Sequence, residues 1–258
     1  MVRKLKLSRL KIAKPDYMTL GHILPNICTL GSVAASMTAI MHASRGGFST
    51  ALALIIVAAV LDGLDGRLAR AFKTDGPFGV EMDSLCDAIS FGVAPAFITF
   101  FYAAHKLPGI GWALSLVFAS ALILRLARFN VMTGDDGTPD YWRYFFTGVP
   151  APAAGLMVLW PIALYTATGN PLFASPVFVS AMVAVFAFGA ISRIPTFNLK
   201  KVSVPKWFAK PLMLIIFATI MAMTLWFWKV AAVLGAVYIA TIPYTIVKFL
   251  RMKRAAEV

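Results

Sequence analysis

Asp62, Asp65, Asp83 and Asp87 are the residues whose type and spacing could do chemistry, and they stand in stretches apolar enough to lie in a membrane. An ionised side chain within hydrocarbon costs about 2.5–3.5 kcal/mol on insertion scales, so four in two adjacent segments demand a compensating partner. A divalent cation supplies one. Residues three or four apart share a helix face. Asp62 and Asp65 therefore project together from the end of one predicted helix, and Asp83 and Asp87 from the start of the next. The intervening Phe72–Phe78 turn, with Gly76 and Pro77, folds the two helix ends side by side, so that all four carboxylates can converge.

Hard oxygen ligands suit Mg²⁺, Mn²⁺ or Ca²⁺, and the absence of a His or Cys cluster beside them speaks against zinc. Four carboxylates are many for one Mg²⁺; two ions, about 3.5–4 Å apart as in two-metal phosphoryl-transfer sites, match the charge better. Gly63 and Gly66 remove side chains next to the ligands and permit close approach of substrate phosphates. Arg70, one turn beyond Gly66, is placed to pair with a phosphate oxygen. Ala69 reads equally well as a helix-packing residue, since small residues are common where membrane helices meet.

The elements that must position these groups follow from composition. The chain has 258 residues, 60% of them hydrophobic, with a mean hydropathy of +0.79. That is far above the usage of soluble domains and predicts an all-α, polytopic integral-membrane helical bundle. Apolar runs at 24–43, 50–71, 79–104, 112–131, 147–168, 175–192, 211–227 and 230–249 predict eight transmembrane helices, the seventh being the shortest. With the N-terminus inside, all Lys and Arg except Arg45, Lys106 and Lys229 fall on the cytoplasmic side. Basic residues accumulate there, so both termini and the acidic motif are expected to face the cytoplasm.

The whole chain, 1–258, reads as one membrane domain without a strong internal repeat: a basic N-terminal segment over 1–20 and a transmembrane bundle over 24–249. The N-terminal segment mixes basic and apolar residues and reads either as an interfacial helix or as a basic topology tag. No cleavable signal is evident, because the first apolar run follows a long charged segment and continues as a span. The net charge of +13 borders the spans rather than lining one soluble face. It therefore argues for anionic lipid headgroups and against nucleic acid as the partner. Cys28 and Cys86 fall within predicted helices and read as packing residues; His22, His42 and His105 lack metal-like spacing.

The pattern Asp62, Asp65, Gly66, Ala69, Arg70, Gly79, Asp83 and Asp87 resembles, without a departure, the signature of the CDP-alcohol phosphotransferases. Members of that family transfer a phosphatidyl or similar group from a CDP-linked donor to an alcohol at a two-metal site, releasing CMP. The resemblance implies that Asp62, Asp65 and Asp83 ligate the metals. It implies that Asp87 touches the second metal and accepts the proton of the attacking hydroxyl, with base, ligand or both left open. Gly66, Arg70 and Gly79 would hold the cytidine diphosphate. Near the first helix start, Pro25 to Thr29 resembles a family segment close to the nucleotide, which makes Asn26 and Thr29 candidates for donor binding; Pro25 and Asn26 are equally acceptable helix-start residues.

The segments 83–96, 125–130, 146–154 and 192–201 are similar to the bacterial membrane-type phosphatidylserine synthases, and the similarity runs from about Pro25 to Lys201. It implies CDP-diacylglycerol as donor and L-serine as acceptor, with glycerol 3-phosphate, inositol phosphate or choline as alternative acceptors. It also implies a homodimer in a bacterial inner membrane. Arg125 and Arg128 lie three apart on one face of the fourth predicted helix. They read as binding the serine carboxylate or a lipid phosphate bidentately, or as anchors that snorkel to the interface. Asn130, with Ser90 and Thr147, is a polar group near the same expected pocket. A cation transporter using the aspartates is the reading from another class, but a transport site belongs near mid-membrane in a repeated architecture. These aspartates sit at helix ends on one side.

Overall fold

The computed structural model describes residues 20–72, 76–132, 145–197 and 206–256. The basic segment 1–19, residues 73–75 of the expected Phe72–Phe78 turn, and 133–144, 198–205 and 257–258 lie outside the described residues. Helices α1 (Leu20–Ser44), α2 (Phe48–Phe72), α3 (Pro77–Asp87), α4 (Ala94–Tyr102), α5 (Ile110–Met132), α6 (Ala151–Val158), α7 (Trp160–Thr168), α8 (Pro176–Ile191) and α9 (Lys206–Ala256) follow one another along the chain. Two three-residue strands, β1 (Phe145–Thr147) and β2 (Pro195–Phe197), pair antiparallel with Phe146 opposite Thr196.

Among the described residues, five helical segments are long and apolar enough to cross a membrane: 23–44, 48–72, 78–102, 110–131 and 210–252. The α6–α7 pair makes a sixth if its 41° bend is one broken span. The bend falls at Leu159, two residues before Pro161, whose ring and missing N–H oppose a straight helix. The apolar run 175–192 forms the shorter helix α8. The two runs expected at 211–227 and 230–249 lie in one long element, α9, broken only by the non-helical backbone of Trp226.

Lipid is as apolar as the side chains, so helices in a membrane associate through close packing rather than through expulsion of water. The core shows how: Ala39, Ala43, Ala51 and Ala58 are buried around α1 and α2, and Ala121, Ala154, Ala187 and Ala190 around α5, α6 and α8. Leu, Ile and Phe side chains cover much of the outer surface, as on α9, where Leu214, Phe217 and Leu225 are exposed. Gly46, in the left-handed region at φ 83°, turns α1 into α2.

The span expected to be continuous over 79–104 holds a π-helical turn, Ala88–Val93, between α3 and α4. The Ala94 N–H donates to Ile89 five residues back. Pro95 lacks the N–H that an α-helix would direct at Phe91. Such a turn re-aims the residues on either side of it. It begins immediately after Asp87.

Candidate active site

One end of the bundle collects the C-terminal ends of α2, α5 and α8, the start of α3 and the β1–β2 pair. Pro77 in the first turn of α3 and Gly76 before it set the entry into that helix, a favourable place for a residue with no N–H to donate. Asp62, Asp83 and Asp87 meet there, each offering an oxygen within 4.8 Å of the others. Asp62 and Asp87 are within hydrogen-bonding reach of one another. One oxygen of Asp87, Oδ1, is buried and makes no hydrogen bond. Three like charges that face each other, with a buried acceptor to spare, fit a hard divalent cation and nothing apolar.

Asp65 stands beside this trio and interacts electrostatically with Asp62 and Asp83. Only 5% exposed, it accepts a hydrogen bond from the Thr29 hydroxyl at 2.6 Å and one from the Gly66 backbone N–H. Thr29 thus acts across α1 and α2 on an aspartate, one turn from the half-buried Asn26. The sequence suggested Thr29 only as a donor-binding residue; a contact between residues 36 apart leaves no local signal. Gly63 and Gly79 face open space, with nothing within 4 Å of where a Cβ would be. Gly66 has Arg70 beside it: a Cβ there would lie 3.8 Å from Nη1, so the guanidinium folds back one turn. Arg70 is exposed and Ala69 half-buried.

The two arginines of α5 separate. Arg128 donates from Nη1 to the Ile191 carbonyl at 2.8 Å and from Nη2 to that of Ser192 at 3.4 Å, closing the C-terminal end of α8. Arg125 is only 8% exposed, interacts electrostatically with Asp87, and its Nε makes no hydrogen bond. Asn130 donates from Nδ2 to Ser84 Oγ at 3.0 Å and so ties α5 to the residue after Asp83. Ser90 is fully buried, with Ser32 Oγ of α1 at 3.5 Å. Thr147 is paired in β1 opposite Pro195. Cys28 and Cys86 are free thiols. His105 accompanies Phe100, at 3.1 Å from its carbonyl, away from the carboxylates.

An apolar helical bundle with carboxylates and arginines gathered at one end defines a membrane protein that handles a charged ligand at that end. Residues 22–191 match the CDP-alcohol phosphatidyltransferase family, and the chain belongs to it. It is similar to a CDP-diacylglycerol–serine O-phosphatidyltransferase of Mycobacterium leprae, 39% identical over 228 residues that cover 87% of this chain and 74% of the relative. A Helicobacter pylori protein of the same name is 38% identical over 199 residues, 76% of this chain and 79% of the relative. An archaetidylserine synthase of Methanothermobacter thermautotrophicus is 34% identical over 172 residues, 65% and 68% of the two chains.

Proposed function

We propose that this protein transfers the phosphatidyl group of CDP-diacylglycerol to the hydroxyl of L-serine, giving phosphatidylserine and CMP. The observation that carries the reading is the convergence of Asp62, Asp83 and Asp87 at one end of the bundle, in a chain whose relatives bear the names of serine-using transferases.

In this reading Asp62, Asp65 and Asp83 hold divalent cations, two in number and Mg²⁺ or Mn²⁺ in identity, with Asp87 completing the set. When bound, such ions supply positive charge against the donor pyrophosphate and the departing CMP. Arg70 pairs with a donor phosphate beside Gly66, and Gly79 leaves room for the nucleotide. Asn26 contributes hydrogen bonds to the nucleotide from α1, Thr29 orients Asp65, and Ala69 packs behind them. Asp87 takes the proton of the serine hydroxyl as its oxygen attacks the phosphatidyl phosphorus; the bond from that phosphorus to CMP breaks, and CMP leaves with the electron pair. Arg125 receives the serine carboxylate, while Arg128 and Asn130 brace the helices around it.

The reading includes a single membrane domain over 1–258, with eight passes and both termini cytoplasmic. The concentration of Lys and Arg at the site end supports that orientation, and the break at Trp226 supports division of α9 into two passes. Family resemblance supports a homodimer in a bacterial inner membrane, with lipids on the exposed apolar faces. Incubation of the purified protein with CDP-diacylglycerol and, separately, serine, glycerol 3-phosphate, inositol phosphate and choline tests the acceptor. Lipid product should form preferentially with serine. Preferential product with another alcohol overturns the assignment.

A further inference from the structure

The last helix carries a group that the family match, ending at residue 191, does not reach. Its register is fixed by Trp160, whose Nε1 donates to the Ala232 carbonyl at 2.9 Å, and by Gly235, where any Cβ would lie 2.3 Å from the same indole nitrogen. Farther along, Thr245 is fully buried and Phe249 meets Phe145 of β1 edge to face, ring centroids 5.4 Å apart. These residues define one inward face that runs toward the site end. Tyr238 stands on that face, three residues past Gly235, and packs against the core.

Its hydroxyl is buried and makes no hydrogen bond. A buried polar group without a partner is costly to folding, and tyrosine hydroxyls in such places ordinarily find one. Arg125, with which Tyr238 interacts electrostatically, has the same property at Nε. The two donors are near enough to interact electrostatically, neither is satisfied by the other, and Arg125 interacts in the same way with Asp87. The group that satisfies both is an anion with several lone pairs, small enough to enter beside the carboxylate cluster.

We propose that the Tyr238 hydroxyl and the Arg125 side chain together hold the carboxylate of the amino-acid acceptor, which makes Tyr238 a specificity-determining residue. The assignment rests on the reading of serine as acceptor. It gives a reason for choosing an acceptor with a carboxylate over a plain alcohol: without one, both buried donors stay unpaired during turnover.

The test is Tyr238→Phe in the full-length protein, which keeps the ring and removes only the hydroxyl. Three quantities are read: binding of CDP-diacylglycerol without serine, the serine KM, and the inhibition constant of ethanolamine, which is serine without its carboxylate, against labelled serine. The serine KM should rise about 10- to 100-fold, the range for a hydrogen bond to a charged group. Donor binding and the ethanolamine constant should not move. An unchanged serine KM overturns this assignment alone, as does equal weakening of serine and ethanolamine or a loss of donor binding, each of which would make Tyr238 a packing residue. If the unsubstituted protein makes no phosphatidylserine from serine, the functional reading falls and this assignment falls with it.

Discussion

The Thr29 hydroxyl of α1 donates to Asp65 Oδ2 of α2 at 2.6 Å and fixes the carboxylate that stands beside the trio of Asp62, Asp83 and Asp87. Asp62 and Asp65 leave the same helix one turn apart, and Asp65 is tied to α1. A hydroxyl that orients a metal-binding carboxylate controls affinity without touching the ion.

Thr29→Val keeps the shape of the side chain and removes that donor. Apparent affinity for Mn²⁺ or Mg²⁺ should fall about 10- to 100-fold, the usual effect of losing such an outer partner, while Thr29→Ser retains most of it. Metal titration of CMP release checks both. Equal metal dependence in Thr29→Val and the parent would leave the bond a mere helix contact.

The trio predicts a trade of stability against function. Like charges within 4.8 Å of one another repel by at least about 3 kcal/mol per pair at an effective dielectric constant of 20, before relaxation. Chelation of divalent metal should therefore lower the thermal midpoint of the parent protein. Asp62→Asn should raise the midpoint of the metal-free protein, flatten its response to added metal and abolish CMP release. Thermal unfolding in detergent, with and without chelator, reads the first two effects. Full activity in chelator would remove the basis for a metal site.

The aspartates were legible in the sequence because charge inside an apolar run is costly and their spacing puts each pair on one face. Arg125 and Arg128 were not separable in that way. Three apart, they share a helix face, and only the position of α8 reveals that one caps its end while the other turns toward Asp87. The π-helical turn was illegible for a different reason: Ala88 to Val93 is as apolar and regular as an ordinary span, and the extra residue in the turn answers to Pro95 and to the packing around Gly155. Hydropathy also runs high on both sides of Trp226, so the pattern separates two runs near Lys229, while the backbone breaks three residues earlier, at Trp226.

Arg128→Ala should act on stability. The loss of its bonds to the Ile191 and Ser192 carbonyls, partly exposed to solvent, is expected to cost about 1–2 kcal/mol, with serine KM unchanged. Arg125→Ala should do the reverse, raising the serine KM with CDP-diacylglycerol binding intact. The pair of variants, compared by unfolding and by saturation kinetics, distinguishes the cap from the acceptor contact.

Gly155→Ala tests the π-helical turn. An added Cβ would lie 2.8 Å from the Phe91 carbonyl oxygen and 3.0 Å from its Cα, so one of the two backbones must shift. Overpacking of this kind costs about 1–3 kcal/mol. The shift would be felt by Asp87, which precedes the turn, so turnover should fall along with the unfolding midpoint. Unchanged stability and activity would show that the α6 contact does not hold the turn.

Asp87→Asn separates proton transfer from binding. Asp87 lies one turn past Asp83 on α3, joins Asp62 and Asp83 in the cluster, and has a buried Oδ1 without a hydrogen bond. An oxygen so placed is available to a serine hydroxyl whose carboxylate is held by Arg125, because Arg125 interacts electrostatically with Asp87. A general base contributes about 10²–10⁴ in rate, so turnover should drop by that factor while CDP-diacylglycerol binding survives, since asparagine keeps the size and one oxygen of the side chain. Single-turnover CMP release, measured beside donor binding at saturating metal, gives both numbers. If Asp87→Asn loses metal and donor binding together, Asp87 is chiefly a ligand, and the proton must be taken by another carboxylate of the cluster.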